Sequence, residues 1–151
     1  MPSLRFLPLA CLVFALSFAL SLGLPGCAAA PTSVSLFERL GGQTGVAEFV
    51  GRTLTRSAAD PRTQRSFEGI KISAVQQSLT EQICALGGGG CTYQGESMAR
   101  VHKDLRIKPS EFDAMVEILR EEIDRAGIDM RAKNELLRLL APMKQAIVEN
   151  Y

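Results

Sequence analysis

From residue 35 onward the apolar side chains of this chain recur every three or four positions, and glycines cut the pattern into lengths that suit single helices. Such spacing lays an apolar stripe along one helix face, whereas a half-buried strand would need strict alternation. A brief helix is expected at Ser35–Leu40, stopped by Gly41-Gly42. The next starts near Thr44, carries Val46, Phe49, Val50, Thr53 and Leu54 on one face, and ends by Ala59 before Asp60-Pro61. Irregular chain holding Phe67 and Gly69 follows. Ser73-Ala-Val-Gln76 has the form of a capping box, opening a helix whose stripe is Val75, Leu79, Ile83 and Leu86, ended by Gly87–Gly90. Pro109 suits the first turn of a long helix with Phe112, Met115, Val116, Leu119 and Ile123 on one side, up to Gly127. A last helix from Met130 to Glu149 should bury Leu136, Leu140, Met143 and Ile147 and kink at Pro142. Nowhere does strand alternation persist, so the fold class is all-α.

The first residues follow a different logic. Arg5 is the only charge before an apolar run from Phe6 to Leu24, which leads into Leu24-Pro25-Gly26-Cys27. A basic start, an apolar stretch and a small-residue site read as a secretory signal. The Leu-x-Gly-Cys ending resembles a bacterial lipobox, although Pro25 is atypical inside one. The favoured reading is a lipoprotein-type signal over 1–26, lipidation at Cys27, a tether over 27–34 and one domain over 35–151. Cleavage near Ala28-Ala29-Ala30 and an uncleaved anchor are the alternatives. All three place the domain outside the cytoplasm; the lipoprotein reading puts it on the periplasmic side, and Ala28 after the lipidated cysteine slightly favours the outer membrane.

The remaining thiols agree with that compartment. With Cys11 in the leader and Cys27 lipidated, Cys84 and Cys91 are left flanking the glycine loop. In an oxidising compartment they are expected to pair, which would stabilise the fold by about 2–3 kcal/mol. Two free thiols, or half of a metal site, are the other readings, and a single histidine in the whole chain suits the latter poorly. Arg5 is also the only charge in the leader, so removing it brings the 17 Lys and Arg level with the 16 Asp and Glu. A neutral domain lacks the electrostatic footprint of a nucleic-acid binder, so no nucleic-acid partner is expected.

His102, the one histidine, rules out any site needing an imidazole pair and leaves one economical use, a single axial ligand to a haem iron. Its surroundings supply more. Ser35-Leu-Phe-Glu-Arg-Leu-Gly41-Gly42, Asp60-Pro61, Phe67-x-Gly69, the glycine break after Leu86, Tyr93-x-Gly95-x-x-Met98-x-x-Val101-His102-x-x-x-x-Ile107 and a Phe112-led helix follow in order. Together they resemble the group 1 truncated haemoglobins, bacterial-like globins that wrap haem in a two-over-two helical sandwich. The resemblance spans about residues 35–148.

That resemblance implies haem b as cofactor, iron held by His102, and Phe67 stacked on the ring. It makes Leu54, Val75 and Leu79 the distal residues, where many relatives carry a tyrosine and a glutamine. Ile83, Val101 and Ile107 complete the expected cofactor-binding set. An apolar distal side offers no hydrogen bond, worth roughly 1–3 kcal/mol, or about ten- to a hundred-fold in affinity. Dioxygen needs that bond more than carbon monoxide or nitric oxide do. Weak, fast-dissociating O2 binding with NO and CO binding retained is therefore expected. Thr53, Gln76, Thr80 and Gln82 are the polar side chains able to intrude. Arg100, Lys103, Arg106 and Lys108 suit haem propionates, and Tyr93 suits either a propionate or an anchor for its own loop.

The expected function is reversible binding of a diatomic gas (O2, NO or CO) in a membrane-tethered globin, with no redox partner named by the sequence. No catalytic residue is assigned. Peroxide turnover usually needs a polar acid–base group beside the iron, and the apolar distal side argues equally against NO dioxygenation. Covalent c-type attachment is excluded because Cys-x-x-Cys-His does not occur. The alternative is a globin-fold lipoprotein without haem that serves as an interaction module, and a retained His102 speaks against it.

Overall fold

A computed structural model of the chain describes residues 34–148. The signal segment, Cys27 and most of the tether lie outside the described residues. Those described form helices α1 (Leu36–Arg39), α2 (Gly42–Ala59), α3 (Ile72–Leu86), α4 (Met98–Val101), α5 (Pro109–Arg125), α6 (Met130–Leu140) and α7 (Lys144–Ile147). Short 3-10 turns occur at Gln64–Phe67 and Ala141–Met143. Among the described residues there is no strand, and no helix is long and apolar enough to cross a membrane.

Local chemistry explains most boundaries. Ser35 accepts the Glu38 amide at 3.2 Å and opens α1. Gly41, at φ 94°, makes the left-handed turn into α2 that a side chain would resist. Gly87 closes α3 where the backbone of α1 comes close: the Phe37 amide donates to the Gly87 carbonyl at 2.9 Å, and a Cβ there would lie 3.0 Å from the Phe37 nitrogen. Pro109 is at the first position of α5, and the Glu111 carboxylate accepts the Lys108 amide at 2.8 Å.

Two expected boundaries change. Lys71, not Ser73, precedes the first residue of α3, and no side chain caps it. Gln76 does not fold back on that terminus because its amide donates across to the Ala47 carbonyl on α2 at 2.9 Å. The final helix does not merely kink at Pro142; it divides into α6, a 3-10 turn and α7, since proline has no N–H to continue the ladder.

Helix α2 packs on α3 and α5, α5 packs on α6, and α1 closes against α2, α3 and α6. This is the two-over-two arrangement. Leu36, Phe37 and Leu40 of α1, Val46, Phe49, Val50 and Leu54 of α2, Ile83 and Cys84 of α3, Leu119 and Ile123 of α5, and Ala132 and Leu136 of α6 form the buried core. Glu122 is buried with them at the α2–α5 contact, its carboxylate met by Arg52 at 2.9 Å, Arg56 at 2.7 Å and Arg125. Burial pushes its pKa up, and the three guanidinium partners outweigh that and hold it below its usual value.

Candidate functional site

Helix α4 is a single turn without one buried residue, and His102 is its C-cap. The ring is half-buried, with Nδ1 2.8 Å from the Met98 carbonyl oxygen. A carbonyl only accepts, so Nδ1 carries a proton, and in the neutral ring that leaves the lone pair on Nε2. This is how a protein fixes the tautomer of a metal-ligating imidazole.

Around the core lies a set of apolar side chains that pack on it yet stay partly uncovered: Phe67 from the first 3-10 turn, Ile72, Val75 and Leu79 from α3, Met115 from α5, and Leu137, Leu139 and Leu140 from α6. Phe112, Val116, Met143 and Ile147, expected to be buried, are likewise only half-buried. A flat apolar cofactor is the kind of group such a surface would cover, and with the poised Nε2 of His102 the residues present fit haem. Leu54 and Ile83 are fully buried behind these walls, Ile107 is buried at 9% exposure, and Val101 is 45% exposed at the surface. Val101 thus stands apart from the set expected to hold a cofactor, because on a one-turn helix it faces away from the core.

The polar side chains expected to intrude beside Leu54, Val75 and Leu79 are largely spoken for. Thr53 Oγ1 donates to the Phe49 carbonyl at 2.7 Å, Thr80 Oγ1 to the Gln76 carbonyl at 2.7 Å, and Gln76 to Ala47. Each satisfies a backbone acceptor within the α2–α3 layer. Gln82 differs, since among the described residues its amide nitrogen meets only the sulfurs of Met98 at 3.8 Å and Met143 at 3.6 Å, which are weak acceptors. Tyr93 anchors its loop: its hydroxyl lies 3.3 Å from Ser78 Oγ on α3 and donates to the Glu96 carbonyl at 3.4 Å. Arg100 pairs with Glu96 at 3.4 Å on the surface.

Two further features frame the site. Cys84, fully buried at the end of α3, has its Cα 5.7 Å from that of Cys91, within the range a disulfide spans. Arg65, which the sequence did not single out, reaches from the first 3-10 turn to Glu111 and to the carbonyls of Leu105 and Arg106 just beyond His102. No local pattern announces a contact between residues 46 positions apart. A separate cleft of about 630 Å³ between the α1–α2 and α5–α6 turns includes none of the residues expected to bind the cofactor. Its arginines, Arg39, Arg52 and Arg125, are paired with Glu135 and Glu122.

The model of the family described as bacterial-like globin matches residues 35–149. This chain is a bacterial-like globin. Its relatives include the group 1 truncated hemoglobin of Tetrahymena thermophila, 26% identical over 106 residues covering 70% of this chain and 88% of that protein. The group 1 truncated hemoglobin of Mycolicibacterium paratuberculosis is 26% identical over 113 residues, 75% of this globin and 83% of the relative. Among solved structures, the Fe(III) truncated hemoglobin of Tetrahymena pyriformis superposes with a TM-score of 0.72 at 22% identity, covering 78% of this chain and 100% of its own. The 2/2 hemoglobin of a Synechococcus species, in the cyanomet state with covalently attached heme, gives 0.72 at 23% identity over 78% and 100%. The shared fold is that of the truncated hemoglobins, and membership of the family supports haem-based gas binding in general.

Proposed function

We propose that this globin holds haem b through His102 Nε2 and reversibly binds a diatomic gas beside an apolar distal wall. The observation that supports this most directly is the hydrogen bond from His102 Nδ1 to the Met98 carbonyl, 2.8 Å long, which readies Nε2 as a ligand. When bound, haem supplies an iron with one coordination position open to a gas. Phe67 covers the ring and excludes water. Leu54, Val75 and Leu79 bring no hydrogen-bond donor, and Thr53, Gln76 and Thr80 have committed theirs to backbone carbonyls. Dioxygen is therefore held weakly and released fast, while NO and CO are retained.

The same reading places the domain on the periplasmic side of the membrane through lipid on Cys27, most simply at the outer membrane. The joined Cys84 and Cys91 suit an oxidising compartment. Cys27→Ser should move the protein from the membrane fraction to the soluble one, and an unchanged distribution would remove the lipoprotein assignment.

Haemin titration of the full chain followed by ultraviolet–visible absorption tests the central claim. Wild type should give a stoichiometric Soret band that His102→Ala loses or displaces. Identical spectra from both proteins would sink histidine ligation.

A further inference from the structure

We propose that Arg65 is a positioning residue for the iron ligand, acting on His102 through the backbone that follows it; this rests on the reading of His102 above. Helix α4 cannot hold His102 in place by itself, because it is one turn long and buries nothing. The segment leaving it is unusual. Asp104 at φ 67° and Arg106 at φ 51° are both left-handed without being glycine, a conformation that aspartate tolerates and that an arginine keeps where neighbours enforce it.

One side chain supplies that enforcement. Arg65 Nη2 donates to the Arg106 carbonyl at 2.8 Å, and Nη1 to the Leu105 carbonyl at 3.3 Å. The same guanidinium makes a fork with Glu111, Nε to Oε1 at 2.9 Å and Nη2 to Oε2 at 2.6 Å. Glu111 is itself buried and accepts the Lys108 amide at 2.8 Å, so it is anchored to the start of α5. The Leu105 amide in turn donates to the His102 carbonyl at 3.2 Å. A continuous set of hydrogen bonds therefore runs from α5 through Glu111 and Arg65 to the residue that carries the imidazole. Four donors in one plane are required, which a guanidinium has and an ammonium lacks. Arg65 also sits two residues before Phe67 on the same 3-10 turn, so one element presents the ring-covering aromatic and ties down the ligand opposite.

The test uses the full chain with Arg65→Ala, Arg65→Lys and Glu111→Gln. Arg62→Ala is the control, because Arg62, on the same stretch of chain, pairs with Asp60 and Glu117 instead. Two signals are read: amide hydrogen exchange across residues 103–108 in the haem-free protein, and the iron–histidine stretching band of the ferrous haem-loaded protein by resonance Raman. Arg65→Ala should speed exchange in that segment by about tenfold or more and shift or broaden the band. Glu111→Gln should follow it, Arg65→Lys should recover only part, and Arg62→Ala should match wild type. Should Arg65→Ala fail to fold, Glu111→Gln carries the same test. Unchanged exchange in a folded Arg65→Ala or Glu111→Gln protein overturns the clamp whether or not haem binds. Faster exchange with an unmoved band overturns the link from clamp to ligand. A wild-type protein with no iron–histidine band overturns the haem reading instead, and the exchange measurement still rules on the clamp.

Discussion

The two sides of the site are held by different forces. The proposed distal wall belongs to α3, a 15-residue helix with Ile83 and Cys84 fully buried and Cys91 within disulfide reach of its last turn. His102, the proposed proximal ligand, hangs from α4, four residues with none buried, followed by left-handed Asp104 and Arg106. Hydrophobic burial positions the first; a handful of polar contacts from distant parts of the chain positions the second. Burial is insensitive to direction, so it fixes a wall sturdily but coarsely, while hydrogen bonds between named atoms orient a single ring.

Four changes would break or sharpen this contrast. Ile83→Ala, which opens a hole behind the distal wall, should lower unfolding free energy by about 2–4 kcal/mol, measured by denaturant titration. A loss under about 1 kcal/mol would deny that burial holds that side. Leu79→Gln should place a donor on the distal wall and slow O2 release by roughly ten- to a hundred-fold, with CO release changed far less. Equal changes for both gases in stopped-flow would mean that Leu79 does not line the ligand position.

Acid should loosen the proximal side. The hydrogen bonds from Arg65 hold Glu111 below its ordinary value of 4.5, against the opposing effect of burial. A carboxylate whose pKa is lowered on folding contributes stability that is complete above that ordinary value and disappears as pH falls through the lower, folded one. The melting temperature of wild type should therefore drop faster below about pH 4.5 than that of Glu111→Gln. Parallel curves would take Glu111 out of the account. The smallest effect is expected at Val101→Ala, within about 0.5 kcal/mol by denaturant titration because the side chain is 45% exposed. A larger loss, or a displaced Soret band, would return Val101 to the cofactor set.

Much of the molecule could be read along the chain. Helical spacing gave each of the longer helices, glycines marked their ends at Gly41, Gly87 and Gly127, and the two residual cysteines proved to be within bonding reach. The motif around His102 pointed to the globin family that residues 35–149 match. Boundaries that depended on a neighbour were read less well. Ser73 and Gln76 have the sequence form of a cap, yet Gln76 finds a better-placed acceptor on α2. Phe112, Met115 and Val116 share a helix face with Leu119 and Ile123, but only the last two are buried in the core, and Met115 packs against it while staying partly uncovered.

What the sequence determined by itself is the longer helices, the identity of the lone imidazole and the apolar character of Leu54, Val75 and Leu79, because periodicity and residue type are local properties. Tertiary structure alone decided which nitrogen of His102 carries the proton, which polar side chains are already engaged, that Glu122 is buried among three arginines, and that Arg65 grips the turn beyond His102. Each of these depends on atoms brought together from separate helices, and the chain order carries no record of such meetings.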